Sequence, residues 1–359
     1  MADPRVQQYG RLIVERSLDV QPGWQVVIRT TPLARPLLQE VVRLIARRGA
    51  YALQRLGFTL WPIDDVWARE APEHLLAQLA PIDLYTSEHM DARVTIDAPE
   101  NTREGSDITG SRRHAYRRGA EPFFRRTMAD EIPWVGCQYP TPALAQEAGM
   151  TVAQFSDFLY GACLLDWDAE RERMRRLADR FDAAGEVRIV GAETDLTINL
   201  DGRRAFIDAG ETNLPGGEFY FGPVENSAEG VITYGEFPLT YADQLITGAR
   251  LRFESGVAVE AAAESGESVL IEALDSDEGA RRIGELGIGC NPKIDRHTRN
   301  VAFDEKIGGT IHLALGASYP ETGGKNQSLI HWDMVKDLRR PGRIECDGEL
   351  VQEDGRWLI

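Results

Sequence analysis

Three short segments alternate bulky apolar side chains with groups that bind metals or move protons. In Thr310-Ile311-His312-Leu313-Ala314-Leu315-Gly316, an extended chain puts Ile311, Leu313 and Leu315 on one face. His312 falls on the other, beside Ala314 and Gly316, where small neighbours leave room. In Ile330-His331-Trp332-Asp333-Met334, the apolar face is Ile330, Trp332 and Met334, and the opposite face carries His331 and Asp333. In Glu218-Phe219-Tyr220-Phe221, Glu218 opposes two phenylalanines. For any one segment alone, a solvated strand face is the simpler reading. Their residue types argue otherwise. His-x-Asp on a strand sets an imidazole and a carboxylate about 7 Å apart on one face, whereas solvated strands more often carry Lys, Thr, Arg or Glu. Imidazole with carboxylate suits a divalent ion such as zinc, manganese, cobalt or iron.

Other chemistries lack their residues. The chain has no H-E-x-x-H, no G-x-S-x-G and no glycine-rich loop ending in Lys-Ser or Lys-Thr. The first strand candidate runs into Arg29-Thr30-Thr31-Pro32 rather than a G-x-G-x-x-G turn, so a dinucleotide fingerprint is missing. Cys137, Cys163, Cys290 and Cys346 never fall at C-x-x-C spacing, which removes zinc-finger, dithiol and iron–sulfur readings and suggests buried, reduced thiols. Asn326-Gln327-Ser328 matches a glycosylation sequon by chance. Arg112, Arg113, Arg117, Arg118, Arg125 and Arg126 read as a solvated helix face balanced by nearby acids rather than as an anion contact. Lys306 and Lys325 read more simply as surface lysines than as auxiliary groups.

The elements that must hold these residues differ between the two halves. Val6, Tyr9, Leu12 and Ile13 recur at helical spacing behind Pro4. An apolar run at 26–28, a helical period over 37–46 and an extended run over 51–56 follow, with further strand candidates at 93–96 and 134–137. Strand, helix, strand in that order predicts an α/β domain with an open parallel sheet. Residues 165–183 predict an amphipathic helix with Met174, Leu177, Ala178 and Phe181 on one face, ending at Ala184-Gly185. Beyond it, short alternating runs at 187–190, 196–200, 205–207 and 218–221 predict antiparallel strands, with Asp201-Gly202 as a hairpin turn. A helix is expected from about Ser276 to Gly287. The expected architecture is therefore an N-terminal α/β domain over 1–184 and an α+β domain, rich in antiparallel strands, over 185–359.

Composition narrows the partners. At 359 residues the chain is long enough for two cores without disulfide staples. Its 40 basic and 57 acidic side chains give a net charge of −17, which disfavours nucleic acid and anionic membrane surfaces. The first twenty residues carry scattered charge and no apolar stretch of the kind a signal peptide needs, and no run is long enough to span a bilayer, so a cytoplasmic protein is expected.

Several motifs occur together in order: Asn-Leu-Pro-Gly-Gly-Glu-Phe-Tyr-Phe-Gly-Pro at 213–223, the stretch at 275–289, Phe-Asp-Glu-Lys-Ile-Gly-Gly-Thr-Ile-His at 303–312, Ser-Tyr-Pro-Glu-Thr-Gly-Gly-Lys-Asn at 318–326 and Ile-His-Trp-Asp-Met-Val at 330–335. This series resembles the thermophilic metallo-aminopeptidases that include the T and S types, strongly over 185–359 and in general style over 1–184. The resemblance implies a cytoplasmic, homodimeric exopeptidase that acts on peptides with a free N-terminus. It also implies two divalent ions per chain, of zinc, cobalt, manganese or magnesium. Carried over by motif, Glu285 would bridge the ions, Glu218 and Glu305 would complete one site, and His312, His331 and Asp333 the other. Glu285 and Tyr319, a tyrosine placed beside the metals, would act in catalysis. Two departures stand out. Glu305 precedes His312 by seven residues, further than in familiar members, and the usual Val-Phe-Thr-Ala-Pro after the first glutamate reads Phe-Tyr-Phe-Gly-Pro here. The alternative implied by the same fold is a mononuclear Fe(II) dioxygenase of a dihydroxypyridine, which would use only His312, His331 and Asp333.

Overall fold

The computed structural model describes residues 3–58, 65–128, 131–242 and 244–359. The chain divides into two units, Met1–Leu164 with Gly210–Pro215, and Leu165–Ala209 with Gly216–Ile359. The first unit is the expected α/β body. Its strands lie in the order Tyr51–Leu56, Gln25–Thr30, Ala92–Asp97, Trp134–Gln138 and Asn213–Leu214, all parallel. Helix Arg35–Arg47 makes the first crossover because Leu37, Leu38, Val41, Leu44 and Ile45 recur at helical spacing and bury together. Pro36 sits in its first turn, where a missing N–H leaves no bond unmade.

Two arginines of helix Gly110–Met128 do a different job from the one expected, while Arg118 and Arg125 are exposed, as a solvated face requires. Arg112 donates to the carbonyls of Ala68 and Ala71, at the end of helix Asp65–Glu70. Arg126 donates to the carbonyls of Ser87, Glu88 and Met90, at the end of helix Pro81–His89. Helix C-termini leave carbonyls unpaired at the negative end of the dipole, and guanidinium groups satisfy both needs. The Arg117 side chain lies outside the described residues.

The second unit is built from antiparallel sheets. One runs, in order, through Val257–Ala262, Ala249–Glu254, Glu229–Tyr234, Thr194–Asn199, Glu186–Gly191, Gly342–Cys346, Glu349–Glu353 and Arg356–Trp357. The other runs through His331–Asp337, Thr310–Gly316, Ile283–Gly289, Glu218–Phe221 and Phe206–Asp208, and it carries the residues of interest. A two-stranded ribbon, Leu239–Tyr241 with Gln244–Ile246, completes the β-structure among the described residues. Helix Trp167–Asp182 starts where the Asp166 side chain accepts the Ala169 N–H. Its buried Phe181 ring lies 5.3 Å and 6.1 Å from the rings of Phe219 and Phe221 and 6.2 Å from Trp357.

Three expectations need correction. Helix Trp167–Asp182 belongs to the second unit, because Phe181 packs on the second sheet, so the division falls one helix earlier than Ala184-Gly185; Gly210–Pro215 returns to the first unit as its last strand. Asp201-Gly202 is a turn but not a hairpin, since Thr194–Asn199 and Phe206–Asp208 join different sheets. The helix expected over 276–287 does not form; the helix there is Glu267–Leu274, and Ile283–Gly289 is a strand buried at every position. Tertiary packing overrides the charged, helix-like pattern. A Cβ at Gly284 would sit 2.3 Å from the Gly316 carbonyl oxygen, so the strand is pressed against its neighbour more closely than any helix side chain would permit. No helix among the described residues is long and apolar enough to cross a membrane.

The Phe181 contact carries a prediction. Phe181→Ala leaves a cavity beneath Phe219 and Phe221 and should destabilise the protein by about 3–5 kcal/mol in urea unfolding. A loss below about 1 kcal/mol would contradict this placement of the helix.

Candidate metal centre

Register decides which side chains meet on the second sheet. Gly289 pairs with Glu218, Gly287 with Tyr220 and with His312, Ala314 with Glu285 and with Asp333, and Gly316 with His331. Cross-strand partners share a face. Each polar group therefore has glycine or alanine beside it, and that space is taken by its neighbours' imidazoles and carboxylates. The closest case is Gly287, where an added Cβ would lie 1.9 Å from the His312 ring. The opposite face is apolar and buried, with Phe219, Phe221, Leu286, Ile288, Ile311, Leu313, Leu315, Trp332 and Met334. The His312 strand is itself buried at every position, so the polar face is not a solvated one.

Glu305 reaches this wall from a loop. Asn300 caps the short helix Val301–Asp304 by accepting the Ala302 N–H. The buried Asp304 carboxylate accepts from the Thr298 N–H at 2.6 Å, the Thr298 hydroxyl at 2.9 Å and the Asn300 N–H at 2.9 Å. His297 Nε2 lies 3.2 Å from the same carboxylate. Held in this way, the next residue turns its carboxylate inward, and the Glu305 carbonyl lies 3.1 Å from His312 Nδ1.

The two imidazoles are oriented alike. His331 Nδ1 lies 2.8 Å from the Ala317 carbonyl. A carbonyl can only accept, so both Nδ1 atoms carry hydrogen and both Nε2 atoms face the carboxylates, the arrangement that a backbone carbonyl on the far nitrogen imposes on metal-ligating histidines. His312 Nε2 is 2.9 Å from Glu285 Oε1, 3.7 Å from Glu218 Oε2 and 4.0 Å from Asp333 Oδ1. His331 Nε2 is 3.5 Å from Glu285 Oε2 and 3.6 Å from Asp333 Oδ1. Two sets of potential ligand atoms each fall within 4.8 Å, Glu218 with Glu305 and His312, and Glu285 with His312 and Asp333. His312 belongs to both. Glu218 Oε2 is buried with no hydrogen-bond partner, which is what a coordinating oxygen looks like before its ion is placed.

Burying this many acids is costly, and the titration behaviour reflects it. Burial pushes the carboxyl groups of Glu218, Glu285 and Glu305 up, against the pull of Lys306 on Glu218 and Glu305 and of the imidazoles. Burial alone would depress His312 and His331. The Glu285 hydrogen bond and the Glu218 charge instead hold His312 at about 10, and Asp333 holds His331 at about 10. Asp333 resists its own burial because of His331 and lies near 2. Burial and then the surrounding carboxylates push the Tyr319 hydroxyl well above its usual range, so it stays a donor at neutral pH. Its ring centroid is 4.8 Å from that of His331 and 5.5 Å from that of Tyr220.

The six side chains singled out as ligands are thus brought to one wall, with Tyr319 beside it. Sequence reasoning missed two others. Lys306 is not a surface residue: it is fully buried, donates to Glu218 Oε1 at 3.0 Å and pairs with the Glu305 carboxylate. Lys325 is exposed, as expected. Tyr220 shares the Glu218 face and its hydroxyl donates to Glu321 at 3.4 Å; the alternation that exposed Glu218 carried the same signal for Tyr220. Asn326, within the chance sequon, spends its amide on the carbonyls of Gly279 and Gly316. All four cysteines are free and buried.

Comparison with known proteins places these features in a family context. A family model described as thermophilic metalloprotease (M29) matches residues 2–357. Aminopeptidase T of Thermus aquaticus is 35% identical over 200 residues, a match spanning 47% of this chain and 48% of that protein. Aminopeptidase T of Thermus thermophilus is 28% identical over 420 residues, spanning 99% of this chain and 98% of that protein. The solved structure of wild-type AmpT from Thermus thermophilus shares the fold at a TM-score of 0.83 and 24% identity, over 99% of each chain. A 2,5-dihydroxypyridine dioxygenase from Pseudomonas putida shares it more distantly, at 0.59 and 14%, over 100% of this chain and 98% of that one.

One consequence of the raised imidazoles can be measured. At neutral pH both histidines hold an extra proton when no cation is present, and each must lose it to become a ligand. Calorimetric titration with zinc in buffers of different ionisation enthalpy should show net proton release, with affinity rising as pH rises through the neutral range. Uptake without proton release would contradict the charge state assigned to His312 and His331.

Proposed function

The chain belongs to the thermophilic metalloprotease family, M29, and from that premise we propose that it is a metallo-aminopeptidase releasing N-terminal residues from peptides. The observation that carries the reading is the desolvated wall on which four carboxylates face two imidazoles with their Nε2 atoms turned inward. The aminopeptidase names of the Thermus relatives support the same activity.

The donors fit divalent ions. Oxygen and imidazole nitrogen without thiolate suit zinc, cobalt or manganese better than magnesium. In the two-ion reading, Glu285, His312, His331 and Asp333 would hold one ion, Glu218 and Glu305 would complete the place of a second, and Glu285 would serve both. Ions in these places would supply Lewis acidity, bringing the pKa of water toward neutrality and polarising a peptide carbonyl. The chain's own groups do the rest. The Tyr319 hydroxyl, protonated at neutral pH, would donate a hydrogen bond to oxyanion charge developing on that carbonyl. A free α-amine in its neutral form has a lone pair that an ion in this place would accept, which would restrict cleavage to the first residue of a peptide. The rings of Tyr220 and Tyr319 form an apolar surface next to His331 against which the first side chain would pack. An Fe(II) dioxygenase would need His312, His331 and Asp333 alone, and would leave the buried Glu218 and Glu285 and the half-buried Glu305 without a task.

The test is hydrolysis of leucyl-p-nitroanilide beside its N-acetylated analogue. Only the free amine should be cleaved, EDTA should abolish the activity and zinc or cobalt should restore it. Oxygen uptake on a dihydroxypyridine with no peptide cleavage would overturn the proposal. Glu285→Gln should lower kcat by at least about two orders of magnitude, and near-normal turnover would remove Glu285 from the centre. Tyr319→Phe should lower kcat by about a hundredfold with little change in KM; a change confined to KM would make the hydroxyl a binding group.

A further inference from the structure

Lys306 is an unusual neighbour for a set of metal ligands. It has no exposed surface, and its ammonium hydrogen-bonds Glu218 Oε1 at 3.0 Å and pairs with the Glu305 carboxylate. These are the two carboxylates that form one ligand set with His312. Its backbone is fixed on both sides: the Lys306 N–H donates to the Phe303 carbonyl at 3.0 Å, and its carbonyl accepts the Asn291 N–H at 3.0 Å. The side chain is therefore aimed at these oxygens by a rigid turn.

The two halves of the wall are not equal. An imidazole nitrogen has one lone pair in the ring plane, so His312 Nε2 can serve only one ion, although both ligand sets include it. It lies closer to Glu285, at 2.9 Å, than to Glu218, at 3.7 Å. His331 also faces Glu285 and Asp333. The half with Glu285 and Asp333 thus has two carboxylates and two imidazoles, with no lysine bound to either acid. The half with Glu218 and Glu305 has two carboxylates already paired with a cation.

We propose that the Lys306 ammonium is a built-in cation of the Glu218–Glu305 half, against which a divalent ion must compete to bind there. This rests on the reading of the wall as a metal centre. An ammonium has no lone pair to offer a metal, and bonded to the same two carboxylates, at Oε1 of Glu218 while Oε2 faces His312, it repels an arriving ion. The centre then loads in two unequal steps, first at Glu285, His312, His331 and Asp333, then at Glu218 and Glu305. The lysine also keeps those two acids compensated while only the first ion is present, since a buried carboxylate without a partner is strongly destabilising.

Cobalt titration of the metal-free protein, followed by calorimetry and visible absorption, tests this with the wild type, Lys306→Met and Lys306→Arg. The wild type should take two ions, the second at least about tenfold more weakly. Lys306→Met should tighten the second step by about tenfold or more and leave the first within about threefold. Lys306→Arg, which keeps the charge, should retain the wild-type gap. A second step that is unchanged or weaker in Lys306→Met would overturn the proposal and make Lys306 a support for its two acids. Equal steps in the wild type would overturn it whatever the variants do, and would leave the two-ion reading intact. A single ion in both the wild type and Lys306→Met would overturn both.

Discussion

Glu218, Glu285 and Asp333 share one face of a sheet, and Glu305 joins them from a loop, so that all four carboxylates crowd around two imidazoles: Glu218 and Glu305 beside His312, Glu285 and Asp333 beside both. Two unit charges about 4 Å apart interact by about 4 kcal/mol even at an effective dielectric of 20. Several like charges at that spacing cannot all ionise unless positive charge is brought among them. The second unit provides His312, His331 and Lys306, three positive charges among four acids when no metal is bound, and ligation removes two of them because each histidine must be neutral to bind. Divalent cations would resolve this conflict; without them burial, with the neighbouring acids, pushes the carboxyl groups of Glu218, Glu285 and Glu305 up.

The sheet is shaped to maintain that crowding. Glycine or alanine stands beside each functional side chain at the positions set by strand register, so imidazole and carboxylate occupy volume that larger residues would fill. The reverse face is packed with aromatic and branched side chains, including Phe219 and Phe221 against Phe181 of the preceding helix. Packing on one face thus fixes the backbone precisely enough to hold charged groups together on the other. The loop that delivers Glu305 is held by the buried Asp304, a neighbouring acid satisfied entirely by local donors rather than by the centre.

Much of this is legible in the sequence, and the exceptions have physical reasons. Strand alternation alone exposes Glu218, His312, His331 and Asp333 as polar groups opposite apolar faces, and the period of the first half predicts its parallel sheet. Glu285 is hidden, because the charged stretch around it has the pattern of a helix and only the close approach of Gly316 and His312 makes it a strand. Family motifs, not periodicity, bring it to notice. Lys306 is hidden for another reason: a lysine next to an acid in a glycine-rich turn is ordinarily solvated, and only the tertiary position of Glu218 gives it a buried partner. The return of Gly210–Pro215 to the first sheet depends on long-range pairing that no local pattern encodes.

The central claim is that this wall exists to hold metal. Anomalous diffraction at the cobalt edge, from crystals of the cobalt-loaded protein, tests it most directly. The account predicts a strong peak about 2.0–2.2 Å from His312 Nε2, with His331 Nε2 and oxygens of Glu285 and Asp333 completing its coordination. Well-ordered crystals without a peak on this wall, or with cobalt bound only elsewhere, would contradict it.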